Sequence, residues 1–236
     1  MAARTPEASQ RLAARIAGFT LLLLIVSGLL SNFVFNPPVF VAGDSAATLR
    51  NILAHQRTLR FSAATEIVMF NCDIVLAVAL YALLKPVNAG LALMGTFWRS
   101  ANAIVLGATV IGTFAIAELS GTPAYLAAFS PGQMQGVVKL LLDLQQYASM
   151  IGLIFFCLGA GVHSYLLFRS RYIPRILSGL YLFACAELLV CAFIVLTFPN
   201  FMPDIGIPWL VPDLIAEISV ALWLAFRGAS IPAPAS

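Results

Sequence analysis

The chain has 236 residues, 61% of them hydrophobic and 10% charged, with a mean hydropathy of +0.96. A soluble domain is about 45–50% apolar and about 25% charged, so an apolar excess gathered into runs of about twenty or more residues points to a polytopic helical membrane protein. The short alternating segments of a transmembrane β-barrel are not found, and a net charge of +3 on such a chain is no nucleic-acid signal.

Six apolar runs follow one another at roughly 14–35, 61–84, 90–117, 138–168, 176–198 and 209–226. Each can cross ~30 Å of hydrocarbon at about 1.5 Å per residue. The expected fold class is all-α, a six-transmembrane-helix bundle over residues 14–227, with a cytoplasmic segment 1–13 before it and a disordered cytoplasmic tail 228–236 rich in small residues and Pro.

Arg4, Arg11 and Arg15 precede the first run, as in a signal peptide. Its apolar stretch exceeds the about 7–15 residues of a signal core, and the passable cleavage pattern VFVAGD at 39–44 lies too far downstream. The run therefore reads as an uncleaved helix. The loop GDSAATLRNILAHQRTLRF (43–61) offers Asp44 or Ser45 as a helix cap and an apolar stripe of Leu49, Ile52 and Leu53. With Arg50, His55 and Arg57 as its polar groups, it predicts an amphipathic helix on the outer membrane surface.

The second run holds EIVMFNCDIVLAVALYALLK (66–85), where Glu66 and Asp73 stand seven residues apart on one face. Arg99 and Asn102 share a face of the third run. Ser130 followed by Pro131 starts the fourth helix well before its apolar part, and Asp143 and Gln146 share one of its faces. Glu187 sits in the middle of the fifth run, and Asp213 and Glu217 share a face of the sixth. Asp213, beside Pro212, reads as a cap or interface residue, and His163 as an interface histidine; His55 lies in the outer loop. Cys72, Cys157, Cys185 and Cys191 all fall inside apolar runs and read as small buried hydrophobes, without a zinc or disulfide pattern.

Two stretches echo each other. RLAARIAG (11–18) and RYIPRILSG (171–179) both open a helix with arginines four apart, and the segment after Asp73 resembles the one after Glu217. Helix pairs one–two and five–six can therefore be related by an internal repeat, as in many transporters.

Basic residues set the orientation. With the N-terminus inside, the inner loops collect Arg4, Arg11, Arg15, Lys85, Arg169, Arg171, Arg175 and Arg227, against Arg50, Arg57, Arg60 and Lys139 outside. The positive-inside rule then places both termini in the cytoplasm.

A central Asp, Lys or Arg costs about 2.5–3.5 kcal/mol to insert, so the polar residues should face the bundle interior. There Glu66, Asp73, Asp143, Glu187 and Glu217 oppose the single Arg99, with Asn102 and Gln146 as interhelical hydrogen-bonding groups. Either Glu66 or Asp73 can pair with Arg99, and depth favours Asp73. The remaining acids must be protonated, reach water or bind a cation. An acid-rich interior of this kind fits a proton or cation pathway, and equally a static network that holds helices together.

No HExxH, GxSxG, GxxxxGK[ST] or dinucleotide glycine pattern occurs, and Ser100 and Ser149 have no histidine placed to serve them. No catalytic residue, metal or cofactor is therefore assigned. Expected partners are the lipid bilayer and a proton, cation or small amphipathic solute; no nucleic acid is expected, and no protein partner can be named.

RIAG at 15–18, the GDSAATLRNILA loop, DIVLAVALYALLKPVN, the RSANA segment and YLLFRSRYIPRILSG together resemble the bacterial domain of unknown function 4386 family, over roughly residues 12–227. The resemblance implies a multi-pass protein of the bacterial inner membrane and no particular chemistry. Members commonly carry a histidine after the LDL of the fourth helix, where this chain has Gln146, which argues against a metal or proton-relay role at that position. The leading expectation is a small transporter or channel-like protein working through Asp73, Arg99, Asp143 and Glu217. The alternative is an accessory membrane subunit whose polar groups only fix packing; an intramembrane lipid enzyme has little support.

Overall fold

A computed structural model describes residues 6–41, 44–119, 129–198 and 207–231. The elements are α1 (Pro6–Leu29), continued by a π-helical turn (Leu30–Phe35), α2 (Ser45–Ala54), α3 (Gln56–Leu84), α4 (Ala89–Leu119), α5 (Pro131–Ser170), α6 (Arg175–Thr197) and α7 (Ile207–Leu222), continued by a second π-helical turn (Trp223–Arg227). No strand occurs among the described residues. Among the described residues, five helices are long and apolar enough to cross a membrane: Glu7–Phe35, Gln56–Leu84, Ala89–Glu118, Gly132–Ser170 and Arg175–Thr197. The expected sixth span is divided between α7, 16 residues long, and the π-helical turn after it.

Local chemistry sets the helix ends. The Asp44 carboxylate accepts from the Ala47 N–H at 2.8 Å and starts α2. Ser130 and Gln133 form a reciprocal capping box, with Pro131 at the first helical position of α5. Asn88 Oδ1 accepts from Leu91 N at 2.9 Å at the head of α4. Arg171, at φ 59°, closes α5 in the left-handed region. α1 begins at Pro6, inside the segment expected to precede the bundle.

Helices packed in succession are α3–α4, α4–α5, α5–α6 and α6–α7, and α1 lies against both α3 and α7. Six helices thus close into a ring. Gln10 Nε2 donates to the Leu83 carbonyl at 3.1 Å and to Tyr172 Oη at 3.4 Å, while Ser230 N donates to the Tyr172 carbonyl at 2.9 Å. These bonds gather the start of α1, the end of α3, the α5–α6 turn and residues 228–231 at one end of the ring. Arg11, Arg15, Lys85, Arg169, Arg171, Arg175 and Arg227 belong to that end. Residues 228–231 of the expected disordered tail are thus held in place, whereas 232–236 lie outside the described residues.

Polarity is reversed relative to a soluble bundle. Ile111 on the outer face of α4 is 71% exposed, while Arg99 on the same helix is 1% exposed. Toward the basic end the ring interior is solid, with Leu80, Leu83, Leu166, Leu167, Ala221 and Leu224 in one apolar cluster. All four cysteines are buried and free.

Helices approach most closely where a side chain is missing. A Cβ on Gly18 would lie 2.2 Å from Ala225 N, and one on Gly159 would lie 2.8 Å from Arg99 N and 2.9 Å from the Gly95 carbonyl. Without a hydrophobic driving force between helices in lipid, such backbone contacts carry much of the association. Gly18→Ala and Gly159→Ala should therefore each destabilise the bundle, by about 1–3 kcal/mol as overpacking does. Gly136→Ala, with open space around it, should be neutral. Thermal unfolding of the purified variants in one detergent checks this, and an unchanged midpoint for Gly159→Ala would contradict it.

Candidate functional site

The polar centre is assembled from four helices. α3 supplies Asp73, α4 supplies Arg99 and Asn102, α6 supplies Tyr181, and α7 supplies Glu217; Asp73, Arg99, Asn102, Tyr181 and Glu217 are all buried. Arg99 Nε donates to Asp73 Oδ1, and Asn102 Nδ2 donates to Asp73 Oδ2 at 2.9 Å. On the other side, Arg99 Nη1 donates to Tyr181 Oη at 3.4 Å, and that hydroxyl donates to Glu217 Oε1 at 2.7 Å. Arg99 Nη2 is 3.8 Å from the same Glu217 oxygen, and the Phe156 ring of α5 lies 5.2 Å from the guanidinium carbon. One guanidinium is therefore shared by two carboxylates and an aromatic face.

Helix counting puts these groups at one level. At about 1.5 Å per residue, Asp73 lies ~16 Å from the end of α3 at Leu84, and Arg99 ~15 Å from the start of α4. Glu217 lies ~15 Å from Arg227 on the same count. All three thus stand at about the same distance from the basic end.

Above this centre the ring is hollow. A cavity of about 1040 Å³ runs from Asp44 and Lys139, near the end opposite the basic one, down to Asp73, Arg99, Asn102 and Phe156. Its wall on α4 and α5 is polar: Gln145 Nε2 donates to the Thr109 carbonyl and to Thr113 Oγ1, both at 2.9 Å. The wall on α1 and α3 carries Glu66, whose Oε1 accepts from Ser31 Oγ at 2.8 Å and Ser62 Oγ at 3.3 Å. The single proton of the Ser62 hydroxyl has a shorter alternative acceptor in Asn36 Oδ1, at 2.6 Å. Ser31 stands in the π-helical turn after α1.

The expected polar residues are thus sorted. Asp73, Arg99, Asn102 and Glu217 meet, and Asp73 is the direct carboxylate partner on the cavity side. Glu66 lines the cavity two turns above but bonds to serines; pairing with Arg99 is ruled out by its height on α3. Asp143 was expected to face the bundle interior among the acids opposing Arg99, but its side chain is 50% exposed and pairs with Lys139 Nζ at 2.8 Å. The reason is length: α5 has 40 residues, ~60 Å, so its first turns rise beyond the hydrocarbon. Lys139 therefore joins Arg99 as a second cation of the cavity lining. Gln146 lines the cavity, while the hydrogen bonds across to α4 come from its neighbour Gln145. Glu187 is not among the cavity residues, and its Oε2 is buried with no hydrogen-bond partner among the described residues. Asp213 lines the cavity, with Oδ1 likewise buried and unpartnered. His163 is buried against Gly95, at the α4–α5 crossing and away from the cavity.

Sequence reasoning missed Tyr181, which joins Arg99 to Glu217. A tyrosine inside an apolar run needs a partner for its hydroxyl, and that was the available signal. The Ser31–Ser62–Asn36 group was also missed; Ser31 and Asn32 interrupt an otherwise apolar run.

Comparison with protein families matches residues 16–228 to the domain of unknown function family DUF4386. The match covers most of the chain, and the protein belongs to that family. No curated protein and no solved structure matches.

Removing one member of a buried pair leaves an uncompensated charge and costs about 3–5 kcal/mol. Arg99→Ala should therefore lower stability sharply, and Asp73→Asn in the same chain should recover part of the loss, with a coupling of about 0.5–3 kcal/mol. Glu66→Gln combined with Arg99→Ala should be additive. A double-mutant cycle on thermal stability in detergent measures both. A coupling to Glu66 as large as that to Asp73 would contradict the arrangement.

Proposed function

We propose that this DUF4386 member is a six-span transporter-like protein of the bacterial inner membrane that receives a small solute from the outer side. The observation that carries this reading is the asymmetry of the ring: hollow from the mouth to mid-depth, solid from there to the basic end. A site at the membrane midplane reached from one side is the arrangement an alternating-access carrier presents in one of its states. The floor is suited to respond to an occupant, because Arg99 has two carboxylate neighbours on opposite sides. A ligand that engages Asp73 weakens its hold on Arg99, and Glu217 stands ready to take more of the charge.

In this reading α7 with its π-helical extension is the sixth span, and the basic end is cytoplasmic by the positive-inside rule, so both termini lie inside. α2 rests on the outer surface, with Thr48 and Ile52 buried and Arg50 exposed, and His55 and Arg57, just past its end, are exposed as well. Reporter fusions after Lys85 and Arg175 should behave as cytoplasmic. A fusion after Asp204, which lies outside the described residues, should behave as external. An external signal at Arg175 would overturn the topology.

One observation favours the accessory-subunit reading: the Asp73–Arg99–Tyr181–Glu217 chain is directly bonded, as a packing device would be. Flux separates the two. Purified protein in liposomes should move ions or small amphipathic solutes. The Arg99→Ala, Asp73→Asn double variant should regain folded yield while losing at least about tenfold in rate, the equivalent of ~1.4 kcal/mol. Full flux in that double variant would exclude the centre from transport, and absence of flux in the wild type across the panel would favour the accessory role.

A further inference from the structure

We propose that the cavity is a binding site for an amphipathic organic cation, a molecule with an apolar body and one positive head; this rests on the reading of the cavity as a solute site. The first argument is size. A space of about 1040 Å³ is far larger than a proton or metal ion needs, and it lies at the upper end of ordinary organic-ligand pockets, about 300–1,000 Å³. The second argument is the lining. Phe40, Met69, Phe70, Leu106, Met150 and Phe156 supply apolar and aromatic surface on several sides. Such surface rewards a body with carbon to bury and does nothing for a hydrated inorganic ion.

The third argument is the charge that remains after pairing. Seven ionisable residues line the cavity: Asp44, Glu66, Asp73, Arg99, Lys139, Asp143 and Asp213. Arg99 is taken by Asp73 and, from behind, by Glu217; Lys139 is taken by Asp143. Among the described residues Asp44, Glu66 and Asp213 have no ion-pair partner, and the cavity offers no unpaired cation. The segments 42–43, 120–128 and 199–206 contain no Lys or Arg either. An entering anion would meet unpaired carboxylates, whereas a cation would meet acceptors at the mouth, midway and near the floor.

The fourth argument is hydrogen-bonding capacity, independent of the charges. Asn102 is 5% exposed and lines the floor; one N–H of its Nδ2 is given to Asp73, and its Oδ1, without a hydrogen-bond partner among the described residues, is buried beside Gly152 of α5. Asp213 also lines the cavity, and its Oδ1 is buried without a hydrogen-bond partner among the described residues. Midway, both serines bond to Glu66 Oε1, which leaves Oε2 for an occupant. The acceptor left open on the cavity wall, Glu66 Oε2, is matched to a head group that carries N–H donors or a diffuse positive charge. Arg99 Nη2, a donor without a hydrogen bond among the described residues, faces Glu217 at 3.8 Å. The Phe156 ring already holds one cation on its face and shows that aromatic surface at this depth supports positive charge.

Probes matched in shape and different in charge test this. Equilibrium dialysis of the protein in lipid nanodiscs, against empty nanodiscs, should show saturable binding of tetraphenylphosphonium at one per chain. Tetraphenylborate and neutral triphenylphosphine oxide should bind no more than to empty discs. Glu66→Gln should weaken phosphonium binding about tenfold, the effect of one lost charge worth ~1.4 kcal/mol. Glu118→Gln, in an exposed pair with Arg60, should leave it unchanged. The wild-type comparison stands even where a variant fails to fold. Borate or oxide binding as tightly as phosphonium would overturn the cation class and leave the cavity as a solute site. Saturable binding of none of the three would overturn the solute site as well.

Discussion

A guanidinium buried halfway along a ring of apolar helices is the constraint on which the rest of this structure depends. Arg99 cannot be left unpaired at that depth, and the cost of doing so fixes which faces of four helices must meet. Asp73 brings α3 to it, Glu217 brings α7, Tyr181 brings α6, and the Phe156 ring brings α5. Each of these helices is hydrophobic nearly all round, so apolar patterning by itself would leave its rotation weakly specified. The polar centre sets the rotation, and with it the surface each helix turns to lipid.

The two halves of the ring are built on different principles. Toward the basic end, leucine and alanine fill the interior, and Gly18 lets α1 touch the backbone after α7. In the other half α4 and α5 are joined by amide and hydroxyl bonds from Gln145 to Thr109 and Thr113, and α1 and α3 by the Ser31–Ser62–Glu66 group. Hydrogen bonds of this kind hold neighbouring walls together without filling the space between opposite ones. The hollow is thus compatible with a stable bundle because its walls are tied along their edges and its floor is tied by Arg99.

Much of the helical order was legible in the sequence, because runs of apolar residues and the Ser130-Pro131 and Asp44 starts are local signals. Asp73 as the partner of Arg99 was legible from depth alone. Glu66 and Asp143 were harder, since a residue's height depends on where the helix meets the membrane surface, and α5 runs far past it. The last helix illustrates another limit. Its change to π-helical geometry at Trp223 leaves no mark in the apolar pattern, yet it divides the expected span. Tyr181 signalled only that its hydroxyl needed a partner, and neither it nor Gln145 could be matched to one, because the partners are on other helices and only the ring closure brings them near.

The internal echo gains meaning at the centre. Asp73 and Glu217, the acids that head the two similar segments, approach the same arginine from α3 and α7 on its two sides. Buried ion pairs are poor sources of stability, and packed apolar side chains of similar volume commonly serve as well or better. A bundle that needed only cohesion at this level would be served by leucine, as its basic half is. Charge is retained where the cavity ends, on the floor that an entering solute would reach. That placement makes the two-acid, one-arginine centre costly as packing, and under the proposed reading it would let an occupant compete for Asp73 while Glu217 keeps the arginine neutralised.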